Sequence, residues 1–81
     1  MSNTSKHRID VEAILTDLYN SEINASISWV WNGGFDAFLG EPPHIEGLAF
    51  PTIVGAVAWL RDRASEIYPD SDFARKYGPT R

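Results

Sequence analysis

The 81-residue chain contains no cysteine. That absence excludes a disulfide scaffold, a thiol nucleophile and a thiolate metal site. No apolar run approaches the ~18–20 residues of a membrane-spanning helix, so no membrane association is expected. Basic residues are few: seven against eleven acidic ones, for a formal charge of −4 and a pI near 4.9. A chain with so little positive charge lacks the electrostatic footprint of phosphate-backbone binding, which argues against a nucleic-acid partner. Met1 to Arg8 carry charge but no hydrophobic stretch, unlike a secretory signal, and the expectation is a cytoplasmic protein with a flexible polar tail over residues 1–8. Hydrophobic residues make up 43% and aromatic residues 12%. A chain of this size buries roughly 63% of its extended surface on folding, enough for one small core. The sequence therefore predicts a single domain over 9–78.

Hydrophobic spacing divides that domain into elements. Val11, Ile14, Leu15 and Leu18 recur on one helical face. Asp10 can cap the free amides of the first turn, and Ile9 and Ile14 stand at the spacing of a hydrophobic staple. This predicts a helix over 11–20. From Asn24 to Trp31 the period changes to two, with Ala25, Ile27, Trp29 and Trp31 on the side expected to face the core. Phe35, Ala37 and Leu39 alternate in a second strand. A two-residue Asn-Gly turn would set Trp29 opposite Asp36 and bury a carboxylate. A three-residue loop with Gly34 left-handed instead pairs Trp31 with Phe35, Trp29 with Ala37 and Ile27 with Leu39. Gly40-Glu41-Pro42-Pro43 must be a connection, because proline cannot continue a ladder. A third strand over 44–50 turns Ile45, Gly47 and Ala49 inward, although Leu48 and Phe50 favour the opposite face. Thr52 caps a long helix whose inner arc is Ile53, Val57, Leu60, Ala64 and Ile67, and Tyr68-Pro69 ends it. Asp70 or Ser71 caps a short last helix carrying Phe73 and Tyr77, with Gly78 as its stop. The fold class is α+β: two layers, helix–three-stranded antiparallel sheet–helix, plus a short C-terminal helix.

No arrangement of these residues carries evident chemistry. His7 and His44 are the only histidines, and their separation is not a zinc-ligand spacing; no metal site is expected. No serine stands in a strand-to-helix elbow with histidine and carboxylate partners. Asp70 and Asp72 resemble the start of a calcium loop, but the glycine and the distal glutamate are missing. Asp36 and Glu41 form a formal carboxylate pair with nothing to raise either pKa. Gly33-Gly34 joins two strands, which is a turn and not a phosphate cradle. No catalytic residue and no cofactor are therefore assigned. Trp29, Trp31 and Phe35 are read as core aromatics. Val30 and Phe38 fall on the sheet face away from the helices, and Trp59 lies off the apolar arc of its helix. Large apolar side chains so placed mark a contact surface, so Val30, Phe38 and Trp59 are the candidate interface. Packing of Trp59 beneath Phe73 or Tyr77 is the competing reading.

The order helix, three strands, helix resembles the topology of the double-stranded-RNA-binding domain. The lysines that family places at the start of its last helix are replaced here by Thr52-Ile53-Val54-Gly55. Over Ile27 to Ala64 the chain also resembles the small domain of HicB-type antitoxins, in its glycine hairpin, proline-bearing loop, short strand with Gly47 and following helix. That resemblance implies an antitoxin-like or nucleic-acid-linked regulator. Ser28 to Trp31, Gly33 to Phe35, Ala56 to Asp62 and Tyr68 to Ala74 are together similar to a family of small bacterial proteins with no assigned activity, which implies no functional residues. The leading expectation is a small non-enzymatic binding or regulatory module that forms a homodimer or binds another protein. A small-ligand binder or enzyme with a pocket between sheet and helices is the alternative.

Overall fold

The computed structural model describes residues 9–79. His7 and the residue 1–8 tail lie outside them. The elements run α1 (Val11–Asn20), β1 (Ala25–Val30), β2 (Gly34–Leu39), β3 (Ile45–Phe50), α2 (Ile53–Ile67) and α3 (Asp72–Tyr77). The strands form one antiparallel sheet in the order β1-β2-β3. This is the α+β arrangement that the hydrophobic pattern predicts.

Caps set the helix boundaries. Asp10 accepts from the Ala13 amide at 3.0 Å, Thr52 from the Gly55 amide at 3.1 Å and Ser71 from the Ala74 amide at 3.0 Å; each satisfies a first-turn donor that the helix cannot pair itself. Ser71, not Asp70, is the cap of α3. At the end of α1, Glu22 turns left-handed (φ 61°). Its amide donates to Tyr19 O and the Ile23 amide donates to Leu18 O. This is a Schellman ending, in which the buried pair Leu18 and Ile23 supplies the usual hydrophobic contact.

The core lies between the helices and the inner face of β2 and β3. Ile14, Leu18, Ala37, Leu39, Ala56, Val57, Leu60, Ala64 and Phe73 are buried there. The arc of α2 is thus centred on Ala56, Val57, Leu60 and Ala64; Ile53, expected on it, is exposed, and Ile67 is half-buried. The one buried polar side chain among the described residues, Ser65, donates to Arg61 O at 2.9 Å. α2 packs across β2 and β3, with α1 and α3 against its flanks.

That placement overturns the expectation that Trp29 and Trp31 belong to the core. β1 is an edge strand with only Ile27 partly covered, and Trp29 and Trp31 are 64% and 93% exposed. Phe35, the third expected core aromatic, is half-buried against the core. The hairpin register is also shifted. Trp29 pairs with Phe35, Ile27 with Ala37 and Ala25 with Leu39, two residues from the expected pairing. The shift preserves which side chains share a face. The expected register would have run Asn24 opposite Pro42, where the ladder cannot continue. In the observed one, the Gly40 amide donates to Asn24 O at 2.8 Å, and pairing stops before the prolines. The turn is Val30 to Gly33, closed by the Gly33 amide on Val30 O at 2.9 Å. Gly34 is left-handed (φ 86°) as expected, and a Cβ there would lie 2.7 Å from Phe50 O.

A bulge in β3 resolves its ambiguous faces. Phe35 pairs with Phe50 but Ala37 with Gly47, so β3 spends one residue more than β2 over this interval. Ala49 takes the extra position with φ 62° and is exposed, not inward as expected. The bulge thereby sends both Gly47 and Phe50 to the helix side. Asp36 Oδ1 accepts from the Ala49 amide at 2.8 Å and holds the bulge.

Candidate interaction surface

The three residues singled out by sequence do not meet. Val30 is exposed. Phe38 shares the open face with it but stands opposite Ser26, roughly 13 Å along the strand at ~3.3 Å per residue; it is half-buried and meets His44 edge-on with centroids 6.0 Å apart. Trp59 lies on the helix side, half-buried, with its ring 6.2 Å from Phe50. An added Cβ on Gly47 would come within 2.7 Å of that ring. Trp59 is thus packed over β3, and not beneath Phe73 or Tyr77, which stack on each other at 4.5 Å.

The chain assembles a different surface. β1 ends, β2 begins, β3 ends and α2 begins at the same pole of the sheet. Of the seven exposed large hydrophobic residues among those described, six belong to that pole: Trp29, Val30, Trp31, Leu48, Ile53 and Val54. Trp29 leans on Phe35 at 6.1 Å, continuing a row of aromatic residues from Phe50 through Phe35. No charged residue occurs in Trp29–Phe35 or in Leu48–Leu60. The carboxylate of Asp36 is engaged by the Ala49 amide. Exposed apolar residues are ordinary when scattered; gathered at one pole they form a candidate contact surface. Sequence reasoning missed Trp29, Trp31, Leu48, Ile53 and Val54. The signal was available in the two charge-free stretches, which short connections bring to one end.

The backbone of β1 adds a directional feature. Because Asn24 O and Val30 O both point toward β2 and its turn, the even-numbered residues of β1 face β2. Ala25, Ile27 and Trp29 therefore direct their N–H and C=O groups away from the sheet. No strand among the described residues pairs with that edge.

The opposite pole is polar. A shallow hollow of about 280 Å³ is lined by Asn24, Ser26, Phe38, Glu41, Pro42 and His44, among others. Its polar groups largely satisfy one another: Asn24 Nδ2 donates to Glu41 Oε2 at 3.1 Å, and His44 Nδ1 donates to Gly40 O at 2.8 Å. Asp36 and Glu41 sit toward opposite poles and do not form a pair. Among the described residues, no three His, Asp or Glu side chains gather as a metal site would require.

The shifted titratable groups belong to a structural tie. Asp17 on α1 accepts from the Tyr77 hydroxyl at 2.6 Å and from Lys76 Nζ at 2.9 Å. These bonds, Tyr77 first, hold the Asp17 carboxyl below its ordinary range. The bond to Asp17 raises Lys76; desolvation, then the bond to Asp17, raises Tyr77.

No known protein family, curated protein or solved structure matches this chain. No helix among the described residues is long and apolar enough to cross a membrane.

Proposed function

We propose that the chain is a small non-enzymatic binding module that engages a protein through its hairpin pole. The observation that carries this reading is the gathering of Trp29, Val30, Trp31, Leu48, Ile53 and Val54, all exposed, with Asp36, whose carboxylate accepts from the Ala49 amide, the charged residue among them. Interface cores are depleted in charge and enriched in tryptophan, and a few buried aromatic anchors dominate binding energy. Of the residues expected from sequence, Val30 stays in this surface, while Trp59 packs on Phe50 and Phe38 belongs to the opposite pole.

Trp29 and Trp31 also present faces on which bases could stack, and the topology resembles nucleic-acid-binding and antitoxin domains. Single-strand binding pairs such platforms with a cationic groove. The pole has no cation, and the opening of α2 has none either, so a protein partner is favoured.

The test compares wild type with Trp31→Ser/Leu48→Ser. Both residues are exposed and outside the core, so stability should change by about 0.5 kcal/mol or less per site. Proteins retained by the wild type from native extract should be lost by the double variant. Equal retention by both, or retention abolished by salt alone, would contradict the reading.

A further inference from the structure

We infer that the bare edge of β1, beside this pole, receives a second copy of the same chain by antiparallel pairing of β1 with β1 across a two-fold axis at Ile27. The inference rests on the reading of the chain as a binding module and names one of its partners.

The two edges of the sheet are unlike. β3 carries Glu46, is bulged at Ala49 with φ 62°, and is flanked by Pro42-Pro43 and Pro51. Each is a device by which proteins prevent edge-to-edge pairing. β1, Ala-Ser-Ile-Ser-Trp-Val, has none of them: no proline, no charge, no bulge. Two chains of net charge −4 meet least repulsion along a surface free of like charges. β1 offers that, whereas Glu46 would bring carboxylates together in a β3 pair.

Register follows from two parities. Residues directly opposite in an antiparallel pair point to the same face, and the outward N–H and C=O groups belong to Ala25, Ile27 and Trp29. Both conditions hold when odd residues meet odd residues. Centring the axis on Ile27 sets Ile27 opposite Ile27 and Ala25 opposite Trp29, so all three outward residues of each copy find partners within the same set. Shifting the axis to Ser28 would require Ala25 to pair with Trp31, which lies in the turn. On the helix side, the small Ala25 leaves room for the Trp29 indole of the other copy. On the open face, Ser26 meets Ser28, a hydrogen-bonding cross-strand pair. α2 lies over β2 and β3, and on the helix side of β1 Ala25 and Trp29 are exposed while Ile27 is partly covered. The product is one continuous six-stranded sheet.

The cysteine-free sequence makes the register testable. Ser26 and Ser28 of opposite copies would form a non-hydrogen-bonded pair with Cα atoms about 4.5 Å apart, within reach of a disulfide. An oxidised equimolar mixture of Ser26→Cys and Ser28→Cys should give a disulfide-linked species of twice the 9.1 kDa chain mass, and either variant alone should give little. Wild type should sediment as a dimer at roughly 100 µM (affinities of weak homodimers reach this range). Ala25→Pro, which removes an outward N–H on an edge strand, should weaken association at least tenfold while leaving the circular dichroism unchanged. A monomer at that concentration overturns the inference. A dimer that resists Ala25→Pro and cross-links equally within either variant overturns it too. In both cases, loss of extract partners by Trp31→Ser/Leu48→Ser would still sustain the binding-module reading.

Discussion

Ala49 and Glu22 hold φ angles of 62° and 61°, a region that costs an L-residue roughly 1–2 kcal/mol because Cβ crowds the backbone. Ala49 is held there by the Asp36 carboxylate on its amide, and Glu22 by the two carbonyls that α1 must cap. Glycine adopts the same angles without strain, offset by its greater freedom in the unfolded chain. Ala49→Gly and Glu22→Gly should therefore each stabilise the fold by about 1 kcal/mol, seen as a rise in melting midpoint of about 4–8 °C for a domain of this size. The sites lie in separate elements, so their effects should add. A fall in midpoint for either would contradict the strain argument. Neither angle was legible in the sequence, since the positions carry no glycine. Gly34 was, because a tight hairpin demanded a left-handed residue there.

The elements themselves were largely legible. Asp10, Thr52 and Tyr68-Pro69 bound the two longer helices as their chemistry requires, and the alternation of Phe35, Ala37 and Leu39 orients β2. What periodicity could not give was depth. Ala25, Ile27 and Trp29 do share a face with Ala37 and Leu39, yet α2 crosses β2 and β3 and stops short of β1. Period two also cannot distinguish a register from one shifted by two residues, and a bulge breaks the period altogether, which is why the inner face of β3 read both ways. Gly47 shows how close the α2–β3 packing is. Gly47→Ala would push a methyl group into the Trp59 and Phe50 rings, at 2.7 and 2.9 Å. It should destabilise by about 1–3 kcal/mol, the usual cost of overpacking, with a change in near-ultraviolet circular dichroism from Trp59. No loss of stability would show that α2 can slide away. The tie between α1 and α3 sets a pH window. The Asp17 carboxyl is lowered from 3.8, so its contribution is present above that value and is lost as pH falls through the folded value. Lys76 and Tyr77 are raised from 10.5 and 10.0, so theirs are full below those values and lost as pH rises. Asp17→Ala should flatten the acid limb of the stability–pH profile and only reduce the basic limb, where desolvation of Tyr77 persists; an unchanged acid limb would contradict the assignment.

At the scale of the whole molecule, the domain is asymmetric. Helices cover two strands of three, one edge is guarded and the other bare, and the apolar excess collects at the pole where β1 and β3 both end. The opening of the chain in short, cysteine-free elements gave no hint of this, because it depends on where loops bring two charge-free stretches rather than on either alone. The candidate surface was accordingly half legible: Val30 is exposed as its strand face implied, while Trp29 and Trp31 were misread as core because aromatics usually fill interiors. The central claim is that the outward groups of β1 receive a second copy of β1. Amide hydrogen exchange of the full chain, followed residue by residue over a range of protein concentrations, tests it directly. The amides of Ser26 and Ser28, which face β2, should be protected throughout. Those of Ala25, Ile27 and Trp29 should exchange freely in dilute solution and become protected as concentration rises. Free exchange of these three at every concentration, or their protection in a species that sediments as a monomer, would contradict the account.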